Sequence, residues 1–362
     1  MRTGTTVRAA ALGAATLLTI TACGSGGEGA DDSGVSPADA DLTVVTGVYP
    51  LEWLAEQIGG DRVAVVQLTE PGTEPHDLEL TGRQVAEVSE SDIAFYVEGL
   101  QPAVDEAIAQ EASESAFNVA DVVELHPAGE GGHDHAEGDE HAEEEHGHGE
   151  EEHGHGEEEH GHGEEGHDHA EDEAHAEEEA AAEEEHDHGE YDPHFWLDVD
   201  LMAQTAQALG DRMAEVNPEG ADGYAQGVEA VTAELEAIGQ EYEEGLSSCE
   251  HDEVVVGHTA FTYLTEAYGL EQIGVSGVDP ETEPSPSQIA AITDVVNERG
   301  IETIFTEPLM PAATAETIAA ETGAQVEVLD PLEGVTEDSP GDDYPSIMRG
   351  NLEALSTALS CS

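Results

Sequence analysis

The chain has 362 residues, and its 85 acidic residues outnumber only 7 basic ones, which gives a formal net charge of −78 at pH 7. None of the basic residues is a lysine. A surface this anionic repels nucleic acid and anionic lipid and attracts cations, so we exclude nucleic-acid binding.

The first residues have the order of an export signal. Arg2 and Arg8 precede an apolar run that ends at Ile20. This run is shorter than the roughly 20 residues needed to span a bilayer, so it indicates a segment that is removed after export. We therefore expect a signal peptide over residues 1–22.

The signal is followed by Cys23, which lies in a sequence typical of a lipid attachment site. Residues 20–24 resemble the bacterial lipobox, which implies cleavage before Cys23 and attachment of a diacylglyceryl group to its thiol. An ordinary signal peptide with an incidental cysteine is the alternative. The polar, Gly- and Ser-containing stretch over residues 23–40 predicts a flexible tether at the extracytoplasmic face of the bacterial membrane.

The other two cysteines, Cys249 and Cys361, remain as a natural pair once Cys23 carries a lipid. Disulfides are stable outside the cytoplasm, so the two thiols predict an intramolecular disulfide in a monomer. Two buried free thiols are the alternative.

From residue 41 onwards, short β-rich runs alternate with helical stretches, which is typical of an α/β fold. The pattern predicts two α/β lobes, over residues 41–216 and 248–362, joined by one long helix within 217–247. The clearest predicted strands are residues 42–48, 62–68, 92–97, 254–256, 303–306 and 326–329.

Residues 130–190 differ in kind from both lobes. They hold 14 of the 19 histidines and 28 of the 85 acidic residues, with no basic and no large apolar side chain. Such a segment cannot bury a core and is predicted to be disordered without metal. It is a weak metal collector, a sensor or an acidic spacer; paired His-X-His units flanked by carboxylates favour the collector.

Five histidines lie outside that tract, and three of them follow a strand or loop that leads into a helix: His76, His194 and His258. Asp330 follows the predicted strand 326–329 in the same way. Ligands in open α/β folds bind beyond the carboxyl ends of strands. Each histidine alone is more often a structural residue, but three imidazoles and one carboxylate together suit tetrahedral Zn²⁺.

Four segments resemble the successive signatures of the zinc and manganese ABC-transporter solute-binding proteins. They are 71–80 (PGTEPHDLEL), 192–198 (DPHFWLD), 257–264 (GHTAFTYL) and 305–308 (FTEP).

The resemblance implies two pseudo-symmetric lobes around a backbone helix, with the metal site in the cleft between them. It also implies that His76, His194 and His258 bind the metal and that Asp330 is the fourth ligand. Glu74 or a water molecule is the alternative fourth ligand.

Position 258 bears on the choice of metal. Manganese-binding relatives carry a carboxylate there, whereas the imidazole of His258 favours zinc. We therefore expect the extracytoplasmic zinc-binding component of an ABC importer, which delivers Zn²⁺ to a membrane permease.

Three alternatives to this expectation remain. The first is a protein of the same family that binds manganese or another divalent metal, and the second is a surface zinc buffer or adhesin. The third is a zinc hydrolase, which four protein ligands disfavour because they leave no open coordination position.

Overall fold

The computed structural model describes residues 36–38, 40–128, 191–278, 280 and 284–362. The expected signal peptide, the lipid-anchored Cys23 and the histidine-rich tract all lie outside the described residues. Within them, no helix combines the length and apolar character needed to cross a membrane.

Two four-stranded parallel sheets form the centres of the two lobes. Their strands are β1 (Leu42–Thr46), β2 (Val63–Gln67), β3 (Ile93–Tyr96), β4 (Ala116–Asn118), β5 (Glu253–Val256), β6 (Glu271–Gly274), β7 (Thr303–Thr306) and β8 (Gln325–Val328). The first sheet has the order β2-β1-β3-β4 and the second the order β6-β5-β7-β8. The second lobe thus repeats the topology of the first, which confirms the predicted pair of pseudo-symmetric α/β lobes.

The helices cover both faces of these sheets. They are α1 (Tyr49–Gly59), α2 (Gly82–Glu90), α3 (Pro102–Glu111), α4 (Val199–Val216), α5 (Ala221–Gly245), α6 (Thr262–Ala267), α7 (Pro286–Arg299), α8 (Ala313–Thr322) and α9 (Tyr344–Ala358). Several start where the sequence supplies a capping residue: the side chains of Thr81, Ser285 and Asp343 accept backbone hydrogen bonds at the starts of α2, α7 and α9.

The core follows the alternation of the strands. In β1, Val44 belongs to a large buried cluster that continues through both lobes, while the next residue, Val45, packs in a separate cluster on the outer face of the first sheet. Successive side chains of a strand point to opposite faces, so both faces of this sheet are apolar and buried. The shared cluster means that the lobes have one continuous core.

The long helix α5 contacts both lobes. On the side of the first lobe, a Cβ at Gly227 would lie 2.5 Å from the carbonyl oxygen of Ile58, so the backbone of α1 approaches α5 closely where there is no side chain. On the other side, Arg349 of α9 pairs with Glu234 and Glu241 at 2.8 and 2.7 Å. These contacts make α5 the linking helix that the sequence predicts.

A disulfide joins Cys249, just after α5, to Cys361, just after α9. The bridge closes a loop of the second lobe with a sequence separation of 112. The predicted pairing is present, and it fixes the C-terminal end of the chain to the end of the linking helix.

The double substitution Cys249→Ser with Cys361→Ser should lower the free energy of unfolding by about 2–4 kcal/mol, because the unfolded chain regains the entropy of an open loop. Chemical denaturation of the full chain measures the change. Wild-type protein kept under reductant should match the double variant, whose own curve should not respond to reductant. Superimposable curves for oxidised wild type and variant would contradict a stabilising role.

Candidate metal site

His76 lies in the loop that follows β2. Its backbone N–H donates to Glu74 Oε1 at 3.1 Å. The loop is held by the buried Gln101, whose Nε2 donates to the carbonyls of Pro75 and Gly47 at 2.9 and 3.1 Å. A Cβ at Gly47 would fall 1.8 Å from the Gln101 amide oxygen, so only glycine leaves room for this side chain.

His194 lies in the segment that precedes α4, and its side chain is fully buried. Its Nδ1 is 2.7 Å from Asp192 Oδ1, and the same oxygen accepts the backbone N–H of His194 at 3.0 Å. The hydroxyl of Tyr263, from the second lobe, donates to the carbonyl of Asp192 at 2.7 Å. A carboxylate on Nδ1 fixes the ring orientation and leaves Nε2 facing the cleft.

His258 is the second residue after the end of β5 and is also buried. Glu307, the residue after β7, contacts it twice: Oε1 accepts the His258 backbone N–H at 3.1 Å, and Oε2 lies 2.6 Å from Nδ1. This carboxylate orients the ring as Asp192 orients His194.

Glu333 brings the three imidazoles together. Its Oε1 lies 3.3 Å from His76 Nε2, 3.0 Å from His194 Nε2 and 3.4 Å from His258 Nε2. One nitrogen from each ring and one oxygen of Glu333 all fall within 4.8 Å of one another. The four residues therefore present four potential ligand atoms to one point.

The spacing of these atoms fits a tetrahedral metal. In a tetrahedral zinc site with metal–ligand bonds of about 2.0–2.1 Å, the ligand atoms are roughly 3.3–3.4 Å apart. The three distances from Glu333 Oε1 to the Nε2 atoms, 3.0 to 3.4 Å, are close to those edges.

His76 is the most exposed of the four residues. Its side chain retains 12% exposure, whereas those of His194, His258 and Glu333 retain no more than 2%. The site is therefore buried on the side of the other three residues.

The pKa values of His194, His258 and Glu333 depend on the charges around them. Burial lowers the pKa of His194 and His258, but Asp192 and Glu307 with Glu333 outweigh it, so both pKa values are raised, that of His258 well above its ordinary value. Burial raises the pKa of Glu333, yet the surrounding imidazoles outweigh it and hold this pKa well below its usual value. The pocket thus favours positive charge at its centre, supplied by protons or by a metal ion.

Asp330, the predicted fourth ligand, lies outside this group of four. It is buried, and its Oδ1 accepts the backbone N–H of Leu332 at 2.8 Å, which orders the segment after β8. Burial raises the pKa of Asp330 to about 6. The alternative, Glu74, has its Oε1 4.0 Å from His76 Nε2 and does not belong to the group.

Glu333 is not among the ligands predicted from the sequence. The signal available was weak: the segment 330–333 offers two carboxylates, and nothing in the residue types shows which one points to the histidines. That choice depends on the backbone of Leu332, which has φ +62°, a conformation that leucine rarely adopts.

The comparison with protein families gives one match that covers most of the chain. The model of the family described as "Zinc-uptake complex component A periplasmic" (ZnuA) matches residues 44–358.

Individual relatives agree with that family. The "Zinc-binding lipoprotein AdcA" of Streptococcus pneumoniae (serotype 4, strain TIGR4) is 30% identical over 327 residues, which is 88% of this chain and 56% of the relative. The chain therefore spans little more than half the length of this streptococcal relative. The "High-affinity zinc uptake system protein ZnuA" of Bacillus subtilis (strain 168) is 29% identical over 354 residues, with 96% of this chain and 95% of the relative covered.

Solved structures share the fold. The crystal structure of Zn(II)-bound AdcA from Streptococcus pneumoniae superposes with a TM-score of 0.65 at 26% identity, covering 88% of this chain and 58% of that one.

Proposed function

The chain belongs to the family of periplasmic A components of zinc-uptake complexes, and from that membership we propose that it is the extracytoplasmic zinc-binding component of an ABC importer. It captures Zn²⁺ as cargo and delivers the ion to a membrane permease. The observation that carries this proposal is the convergence of three imidazole nitrogens and one carboxylate oxygen on a single buried point.

We assign the cargo to Zn²⁺ because of the ligand set. His76, His194 and His258 offer Nε2 and Glu333 offers one oxygen, which suits tetrahedral zinc better than manganese, an ion that prefers oxygen ligands. Asp330 stays outside the ligand set in this proposal and orders the segment that carries Glu333.

We propose no catalytic role for the site. Four protein ligands close a tetrahedral zinc site, whereas catalytic zinc keeps one position for water or substrate. A closed site suits a protein that holds an ion and releases it unchanged.

We also propose that the mature protein is a monomer held at the membrane by a lipid on Cys23, after removal of residues 1–22. The relative from Streptococcus pneumoniae is named a lipoprotein, which supports this placement. The histidine-rich tract over 130–190 would then collect zinc weakly outside the cell.

His194→Ala should remove roughly one equivalent of tightly bound zinc. Affinity at this site should fall by more than about 100-fold, since loss of a residue that only supports a ligand already costs up to about that much. Competition of the full chain against a zinc chelator measures both quantities. His251→Ala, which removes an exposed histidine, is the matched control and should bind as wild type.

The same pair of variants tests transport. Uptake of labelled zinc should be lost when the gene is deleted, return with wild type and His251→Ala, and stay low with His194→Ala. Tight stoichiometry that survives His194→Ala would refute the site, and normal uptake in the deletion strain would refute the importer.

Glu333→Gln and Asp330→Asn are near-isosteric changes that separate the two candidate fourth ligands. Glu333→Gln should weaken zinc binding by about 10–100-fold or more, because an anionic ligand becomes neutral. Asp330→Asn keeps the oxygen that accepts the Leu332 N–H and should change affinity only a few-fold. Equal losses in the two variants, measured by chelator competition, would argue against Glu333 as the ligand.

Zinc affinity should rise with pH across the neutral range. In the metal-free protein the imidazoles of His194 and His258 bind protons, because the pKa of each is raised. Zinc must displace these protons in order to bind. As pH rises through the raised pKa values, the protons leave and affinity increases. Dissociation constants and proton release measured by calorimetry between about pH 6 and pH 9 test this expectation, which a flat profile without proton release would contradict.

A further inference from the structure

We propose that Asn351 is a positioning residue for Glu333: it holds residues 330–333 in a strained backbone conformation that directs the Glu333 carboxylate at the three imidazoles. This inference rests on the proposed role of Glu333 as a zinc ligand and extends it to a residue of α9 that lies outside the group of four proposed ligands.

Asn351 forms a reciprocal pair of hydrogen bonds with the backbone of Asp330. The Asp330 N–H donates to Asn351 Oδ1 at 2.9 Å, and Asn351 Nδ2 donates to the Asp330 carbonyl at 2.7 Å. Asn351 is fully buried, so water does not compete for either bond. A buried amide that satisfies both groups of one residue imitates a neighbouring β-strand and fixes the orientation of that peptide.

The next two residues are held as well. The carbonyl of Pro331 accepts the Trp196 indole N–H at 2.7 Å, and the Leu332 N–H donates to Asp330 Oδ1 at 2.8 Å. Three consecutive residues before Glu333 therefore each have a specific, buried hydrogen-bond partner. Such redundancy is what allows an unfavourable backbone conformation to persist.

The unfavourable conformation is that of Leu332. Its φ of +62° brings Cβ close to the backbone, a position that glycine or asparagine occupies far more readily than leucine. The Leu332 side chain is completely buried, so its packing also anchors this turn. If Asp330 lost its partner, Leu332 would relax to negative φ, and the side chain of the next residue, Glu333, would turn away from the histidines.

The hydrogen bonds also link Glu333 to the ligands of the first lobe. Trp196, which holds Pro331, packs edge-on against His194 with ring centroids 5.3 Å apart. The segment that carries Glu333 is therefore fixed between α9 on one side and the His194 segment on the other. Within the described residues, Asn351 itself has no hydrogen bond to any of the four proposed ligands.

A double-mutant cycle in the full chain, with zinc alone as the probe, tests the inference. Asn351→Leu removes both hydrogen bonds and should weaken zinc binding about tenfold or more. In a Glu333→Ala background the same change should have less than about a twofold effect, because there is no longer a carboxylate to position. An equal loss in both backgrounds would show a merely structural role and overturn the inference.

Leu355→Ala is the matched control. Leu355 lies one turn further along α9 and is buried, but its side chain is apolar and cannot hydrogen-bond residues 330–333. Its effect on zinc affinity should be small and equal in the two backgrounds. Unfolding curves recorded for each variant show whether Asn351→Leu and Leu355→Ala destabilise the fold to a similar degree.

Asn351→Asp replaces Asn351→Leu in the cycle if the latter does not fold. It keeps the acceptor for the Asp330 N–H but places an oxygen against the Asp330 carbonyl, so the same background-dependent loss is expected. Zinc binding by wild type and His194→Ala separates failure of the proposed function from failure of the role of Asn351. Absence of tight zinc binding in wild type would refute the proposed function, whereas tight binding with an additive cycle would refute only the role of Asn351.

Discussion

The structure depends on one electrostatic constraint, which is that three buried carboxylates share a small volume with three imidazoles. Asp192, Glu307 and Glu333 are each no more than 4% exposed. Buried anions are stable only with a positive partner, and the chain contributes none from its guanidinium groups: every arginine in the described residues pairs with an acid elsewhere. The charge must therefore come from protons on the histidines or from a cation. With neutral imidazoles three negative charges remain, and a doubly charged ion offsets most of them.

The topology of the sheets explains where this charge is placed. In each lobe the chain runs from the first strand outward to one neighbour and then returns to the other side, so a crevice forms between the first and third strands. In the second lobe His258 follows β5 and Glu307 follows β7, and both flank this crevice. In the first lobe the equivalent position, after β1, is filled by the Gln101 amide against Gly47, which anchors the loop of His76. The same topology thus positions His258 directly at a strand end in the second lobe and positions His76 through an anchored loop in the first lobe.

Much of this arrangement could be predicted from the sequence. The six predicted strands are present, because strand positions follow from hydrophobic patterns that are local. The three histidines named from the sequence, His76, His194 and His258, also lie together in the structure. The short strands β4 and β6 were not predicted, since three or four residues with few apolar side chains give no periodic signal. Glu333 could not be distinguished from Asp330 because the choice depends on contacts with Trp196 and Asn351, which lie 137 and 18 positions away from it in the chain. The positive φ of Leu332 could not be predicted either, because leucine rarely adopts this conformation.

The distribution of the proposed ligands between the lobes bears on how an ion could be both held and released. His76 and His194 precede the linking helix α5 in the chain, whereas His258 and Glu333 follow it. A tetrahedral zinc site tolerates little change in its distances, so a small displacement of one lobe would split the ligand set into two pairs, neither of which holds zinc tightly. The continuous core and the helix α5 oppose large rearrangements of the fold. Tight binding of the ion therefore depends on the distance across the cleft between the two pairs of ligands, which the shared core and α5 hold in place.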